Sequence, residues 1–359
     1  MAERLNAVVT AGELRLLVER MGLRPVPYSP LAPVMTMAPA TSDQGLRDQN
    51  LLSGSWSQAI GVLADPAQEI RTIVPAPQSS VVSVFYRGAA GDGQLVGCWV
   101  EEGRVRLSSP WTAGDVAALT GEALWVTPPN EAAPYRATFS PAALTAWAAA
   151  VDALRMIMFG SLLHRSPKVD VTLTLADLRE QVSLGLSNLD ARWLVTLVRV
   201  LAPPVAVPQP EALAQGVREL EGLGLLRPVL MNAWRPLPEL QQFASYLKNP
   251  LPAAAVEVSS GDSSRTTMAM RGDGPLWVFD VDGLAEGRPQ VTVSSLSGDG
   301  YLAHVRTLLA TVELPRAAMA RPPAAAVGVC PACGAPLRPG AAFCTQCGAR
   351  RGTAKRGPR

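Results

Sequence analysis

Trp56-Ser-Gln-Ala-Ile-Gly-Val-Leu63-Ala-Asp-Pro66, read beside Leu240-Gln-Gln-Phe-Ala-Ser-Tyr-Leu247-Lys-Asn-Pro250, decides the fold class of this chain. Each stretch places apolar residues at i, i+4 and i+7, the spacing of one helix face, and each is stopped by proline. They lie 184 residues apart, and the offset continues beyond them. Residues 62–124 lie on 246–308 without a gap, with 13 of 63 positions identical, where average residue usage gives roughly four or five. Identities gather where the chain must turn: Arg87-Gly88 with Arg271-Gly272, Glu102-Gly103-Arg104 with Glu286-Gly287-Arg288, Gly114-Asp115 with Gly298-Asp299. Both copies read alike. A helix is followed by a short strand (70–74 or 254–258) and then a strand pair (81–86 with 94–100, or 266–270 with 276–279). A third strand (105–108 or 290–294) precedes a helix opened by Gly-Asp (116–124 or 301–309). An antiparallel meander followed by a helix is an α+β arrangement. The expected body is therefore internally duplicated, two α+β lobes related by a pseudo-two-fold.

Upstream of the repeat the copies diverge. The first has a helix at 12–21 and a Pro-rich loop at 24–40; the second has helices near 175–184, 189–201 and 211–223. Between them residues 142–163 are apolar enough to suggest a membrane span. Asp152 and Arg155 near the centre would be expensive in lipid, but at i, i+3 they can pair on a water-soluble helix. Ser140-Pro141 supplies an N-cap and an N1 proline. We read a long, mostly buried helix and no membrane span. The expected boundaries are 1–140 for the first lobe, 141–316 for the bridging helix and second lobe, 317–329 for an Ala/Pro linker, 330–349 for a metal module and 350–359 for a disordered basic tail.

The chain has 359 residues, 48% of them apolar, and a net charge of +2. That excludes an evenly basic nucleic-acid binder. Basicity is localised: the last ten residues hold five of the 32 Lys and Arg and no acid. These are Arg350, Arg351, Lys355, Arg356 and Arg359. The N-terminus shows no charged-then-apolar leader, and four of the five cysteines crowd into 18 residues. Both features fit a reducing, cytoplasmic setting rather than a secreted disulfide scaffold.

Those four read Cys330-Pro-Ala-Cys333-Gly, ten residues, then Cys344-Thr-Gln-Cys347-Gly. A two-residue gap puts both sulfurs on one side of a tight turn, and the glycine that follows tolerates the left-handed backbone there. Two such knuckles complete a tetrahedral S4 shell suited to Zn²⁺. With all four positions filled by protein, the zinc is expected to be structural. About twenty residues cannot bury a core, so metal binding is expected to supply the folding energy. Redox-active CxxC pairs or an iron–sulfur cluster are the competing readings. The segment resembles the bacterial C-terminal zinc ribbon, Cys-Pro-x-Cys-Gly…Phe-Cys-x-x-Cys-Gly, through Cys330, Pro331, Cys333, Gly334, Phe343, Cys344, Cys347 and Gly348. That resemblance implies a docking module for protein or nucleic acid.

Other motifs have blander explanations. Asp280 and Asp282 in Leu276-Trp-Val-Phe-Asp-Val-Asp-Gly283 are similar to the nucleophile motif of haloacid-dehalogenase phosphatases. However, Leu284 stands where Thr belongs, and the repeat makes this strand part of a meander rather than a parallel sheet. Arg271-Gly272-Asp273 reads as a hairpin turn. Residues 212–223 followed by Gly224 resemble a winged-helix recognition helix and wing, but Glu211, Glu219 and Glu221 have the wrong sign for phosphate. His164 suits a helix C-terminus, His304 has no partner at a telling spacing, and Cys98 reads as a small buried residue.

Without a catalytic motif, the chain is expected to be a non-enzymatic protein-binding adaptor or chaperone-like protein with no evident small-molecule substrate. Its organisation resembles that of EspG-type chaperones of type VII secretion, which also pair two lobes, each with a helix ending near proline before an antiparallel sheet; here residues 56–66 and 240–250 carry the likeness. The alternative is a nucleic-acid-associated regulator acting through ribbon and tail.

Overall fold

Helix starts are written in polar side chains. In the computed structural model Thr10 opens α1 (Ala11–Arg20) and Thr112 opens α4 (Ala113–Ala123), each in a reciprocal capping box with Glu13 or Asp115. Asp115 Oδ2 accepts the Thr112 backbone N–H at 2.7 Å, so the Gly-Asp pair starts a helix as expected. Ser140 caps α5 (Pro141–Leu163), accepting the Ala143 N–H at 3.1 Å, with Pro141 at the first helical position. The structure describes residues 4–89, 93–101, 104–126, 131–165, 171–187, 190–202, 210–261, 263–283 and 288–311. The expected linker, ribbon and tail lie outside them.

The strands are β1 (Leu5–Thr10), β2 (Pro66–Ala76), β3 (Ser79–Gly88), β4 (Leu95–Glu101), β5 (Arg104–Trp111), β6 (Arg136–Phe139), β7 (Leu173–Thr174), β8 (Leu226–Leu230), β9 (Ala233–Pro236), β10 (Ala253–Ser260), β11 (Ser263–Arg271), β12 (Leu276–Asp282) and β13 (Gln290–Leu296). The remaining helices are α2 (Gln44–Asp48), α3 (Gly54–Ala64), α6 (Leu175–Ser187), α7 (Leu194–Leu201), α8 (Pro210–Gly222), α9 (Pro238–Tyr246) and α10 (Gly298–Thr311).

Ten strands form one antiparallel sheet in the order β1-β5-β4-β3-β2-β10-β11-β12-β13-β6. Five come from residues before 112 and five from residues after 135, so the sheet runs unbroken across the expected boundary between lobes. All the described residues belong to one compact unit. Each half runs helix, four-stranded meander, helix: α3-β2-β3-β4-β5-α4, then α9-β10-β11-β12-β13-α10.

The two halves meet along β2 and β10, with Ile73 opposite Ala255, Thr72 opposite Val256 and Arg71 opposite Glu257. Moving each member of the Ile73–Ala255 pair by the sequence offset gives Glu257 and Arg71, which are themselves paired. The register is therefore two-fold symmetric about Thr72 and Val256.

Helices cover both faces of the sheet. On one, α4 and α10 pack on Ile70, Phe85, Val256 and Val278 through Val116, Tyr301 and Val305. The other face divides. Leu14, Leu17 and Ile60 of α1 and α3 cover Val96 and Leu107. Trp147 of α5 and Phe243 of α9 cover Met268 and Phe279, with Trp147 5.4 Å from both phenyl rings. Helix α5 is buried on every side from Ala142 to Arg155. At Gly216 of α8 an added Cβ would lie 2.2 Å from the Ala142 carbonyl, so glycine permits that close crossing.

The β1 edge of the ten-stranded sheet is covered by a side chain. Along β1, the Gln49 amide binds both backbone groups of Val8, N–H to Oε1 and Nε2 to O, each at 2.6 Å. A side chain there occupies the hydrogen-bonding sites another strand would use. A second, three-stranded sheet has the order β7-β9-β8. Apart from a wing after residues 212–223, the sequence reading did not contain it, nor β1 and β6.

Candidate metal centre

Four polar constellations bear on function, and the residues with the clearest chemistry are not among the described ones. Cys330, Cys333, Cys344 and Cys347, with the tail residues Arg350, Arg351, Lys355, Arg356 and Arg359, lie outside the described residues. Their donor chemistry can still be judged. Four thiolates form a soft set of the right number for tetrahedral Zn²⁺ and leave no ligand position for water. Zinc held there would supply folding energy and no reaction step. Among the described residues no three His, Cys, Asp or Glu side chains come together as a metal site.

Asp280 and His304 show what the sequence could not. His304 Nε2 on α10 lies 2.8 Å from Asp280 Oδ1 on β12 and 3.2 Å from Thr267 Oγ1 on β11, and the Thr267 hydroxyl donates to Asp280. Asp280 lies 24 residues before His304, a separation that no motif spacing marks. The pairing depends on strand register and on where α10 lands, and no motif spacing encodes either. The hydrogen bond to Asp280 raises the imidazole pKa above its ordinary value, with Asp280 and Asp282 adding to the effect and burial opposing it.

An Asp-His-Thr set suggests a catalytic triad, but a relay needs one ring nitrogen on the acid and the other on the nucleophile. Here Nε2 faces both partners, and the buried Thr267 hydroxyl is spent on Asp280. The cluster fastens α10 to the sheet. The phosphatase reading of Asp280 also fails on topology, because β12 is antiparallel to both β11 and β13.

At the seam between halves, Glu69, Arg71 and Glu257 share one face of the sheet. Arg71 pairs with Glu69 and stands opposite Glu257. Burial works against the guanidinium, but the two carboxylates outweigh it and its pKa rises. Ser264 on β11 adds a hydrogen bond to Glu257 at 3.5 Å.

Asp152 and Arg155 form the expected i, i+3 pair at 2.5 Å. Asp152 also accepts the Val195 N–H at the start of α7, at 3.3 Å. Arg155 donates twice to the Lys248 carbonyl beyond α9, at 3.2 and 2.9 Å. One ion pair therefore joins three helices. Burial pushes the Asp152 carboxyl up to about 6, against the opposing effects of Arg155 and the Leu194 and Val195 N–H groups.

The other singled-out residues have structural places. Cys98 is buried, and burial pushes its thiol up to about 12, away from nucleophilic use. Arg271-Gly272-Asp273 is the β11–β12 turn; the Asp273 N–H donates to the Tyr246 carbonyl at 2.8 Å. His164 is the C-cap of α5. The helix-and-wing reading corresponds to α8 followed by the β8–β9 hairpin, with β7 pairing on β9. On α8, Gln215 donates to Glu219 at 3.2 Å, and Trp234 of the hairpin donates to Glu221. Those carboxylates would repel phosphate.

Residues 329–350 match the zinc-ribbon domain family. This agrees with the four-cysteine reading and its zinc-binding chemistry. No curated protein matches the chain.

Proposed function

We propose that this chain is a non-enzymatic, cytoplasmic adaptor or chaperone-like protein. Its body holds a protein partner, and its zinc ribbon is a structural docking module. The observation that carries the reading is the closed four-thiolate set within the zinc-ribbon match, which can build a surface but cannot activate water. The paired halves are read as products of duplication, with the seam as their shared surface.

The test is affinity purification of the full chain beside a truncation at Pro315 and a Cys330→Ser/Cys333→Ser variant. Full-length protein should retain a stoichiometric partner that at least one variant loses. Recovery of no partner with any of the three would end the adaptor reading.

A second reading rests on the tail, five cations in ten residues without an acid. It makes the protein a nucleic-acid-associated regulator. Its affinity should fall steeply with salt, and removing residues 350–359 should flatten that slope. Undetectable binding at low salt would dismiss it.

A further inference from the structure

Four aspartates are followed directly by glycine: Asp92, Asp273, Asp282 and Asp299. Asp92 lies outside the described residues. The pairing matters because an Asp-Gly peptide can rearrange. The glycine nitrogen reaches the side-chain carbon of the aspartate, and glycine has no Cβ to crowd the approach. The fold decides which of the other three is free to do so. Asp299-Gly300 lies in the first turn of α10, where the Gly300 N–H donates to Ser297 Oγ at 3.1 Å. That nitrogen is engaged in capping the helix. Asp282-Gly283 ends β12. Asp282 is in register with Gln290, and the Gly283 carbonyl accepts the Arg288 N–H at 3.0 Å, so strand pairing and a turn bond hold this peptide between them.

Asp273-Gly274 is held by neither. It is the tip of the β11–β12 turn, beyond the last ladder pair, Arg271 with Leu276. The Asp273 side chain is 75% exposed. Gly274 is exposed too, with φ at 121°, and a Cβ added there would meet only Tyr246 Cε1, at 3.8 Å. Among the described residues the Gly274 N–H meets no hydrogen-bond acceptor. The turn is anchored just before this linkage, by the Arg271 N–H on the Pro252 carbonyl at 3.0 Å and the Asp273 N–H on the Tyr246 carbonyl at 2.8 Å. Lys248 Nζ stands 3.6 Å from Asp273 Oδ2, an exposed pair that restrains the carboxylate little.

We propose that the fold singles out Asp273-Gly274 as a self-modification site, at which the chain forms isoaspartate and so becomes a substrate for carboxyl methylation. In the first step the Gly274 nitrogen bonds to Cγ of the protonated Asp273 carboxyl. The amide proton and the carboxyl hydroxyl leave together as water, which closes a cyclic imide. Water then adds at the main-chain carbonyl carbon of Asp273 and breaks its bond to the Gly274 nitrogen. The chain now runs through Cβ and Cγ, and the former main-chain carbonyl is a free carboxylate. One water leaves and one returns, so no oxidant or reductant is needed. The new carboxylate lies on an exposed turn, open to a methyltransferase. There its oxygen takes a methyl group from the sulfonium of S-adenosylmethionine, which departs as the thioether. The inference does not depend on the adaptor reading.

The experiment incubates the full-length chain at neutral pH and physiological temperature. Isoaspartate is read by methyl transfer from S-adenosylmethionine with a protein isoaspartate methyltransferase, and each site is located by peptide mapping. Folded wild type should accumulate isoaspartate at residue 273 several-fold above residues 282 and 299. Asp273→Glu, which would need a larger ring, should lose the signal at 273. Asp273→Asn should gain it faster through the same imide, with ammonia leaving in place of water. Both variants keep an exposed polar side chain at the turn, so their melting temperatures should match wild type. In urea the three sites should react alike. Equal isoaspartate at 273, 282 and 299 in the folded chain would overturn the proposal, as would none at 273. A preference for 273 that persisted in urea would also overturn it, by assigning the choice to local sequence.

Discussion

Asp152 shows how a single side chain organises its surroundings. Its carboxylate holds Arg155 and the first turn of α7, while Arg155 holds the end of α9. Asp152→Ala would leave a buried guanidinium without its counter-charge, and we expect a loss of ~3–5 kcal/mol, read by thermal or urea denaturation. Asp152 also imposes a pH dependence. Its folded pKa, about 6, is raised by burial above the ~3.9 of an unfolded aspartate. A raised pKa contributes stability that is fully present below ~4 and lost as pH climbs through about 6.

His304 acts in the same direction at higher pH. Its pKa is raised by Asp280, so its contribution is complete below ~6.5 and fades as pH rises through the folded value. Melting temperatures across pH 5–9 should fall more for wild type than for His304→Gln over the alkaline part of that range. Parallel curves would show that the His304–Asp280 contact carries no net charge coupling. Of these two pairs, Asp152–Arg155 was legible because helix spacing places i and i+3 together. His304–Asp280 was not, because sheet register decides which residues on different strands and helices meet.

At the scale of elements, legibility followed turn chemistry. The meander strands and their flanking helices were readable because Gly-Asp, Arg-Gly and Asp/Asn-Pro mark where each begins or ends. Most came out longer in the structure, with β3 spanning Ser79–Gly88 where six residues had been expected, while β4 kept its seven residues one position along. Helix α7 came out shorter, since Asp190–Trp193 form a turn before it. Edge strands were missed for a physical reason. β6 has four residues and β7 has two, too few for an alternating pattern to rise above noise. β1 does alternate, with Ala7 and Val9 buried, but nothing in the repeat pointed to it. Its Gln49 clamp makes a prediction of its own. Gln49→Ala removes two hydrogen bonds, at a cost of ~1–2 kcal/mol, and frees a strand edge. Concentration-dependent association by light scattering should then exceed that of wild type.

For the whole molecule, the α+β class was legible from the repeat, and the zinc ribbon from cysteine spacing alone. What the sequence did not contain was that the halves share one sheet, because strand order across a seam leaves no local mark. The metal module predicts a simple thiol count. Native mass spectrometry should find one zinc per chain, and a thiol reagent should reach the four ribbon cysteines only as zinc leaves. Cys98 should stay unreactive until the body unfolds. Zinc-free protein with four freely reactive thiols would refute the S4 assignment.

The β2–β10 seam also bears on how the gene could be divided. A break between Val126 and Glu131 would sort the ten strands into two continuous blocks of five and cut no strand. Each polypeptide would then end its sheet in a long border of unpaired backbone groups, and neither should remain in solution when made alone. Produced in the same cell, the two should find each other through that border and co-elute as one particle. The body would then serve as a split reporter, with its seam acting as the switch.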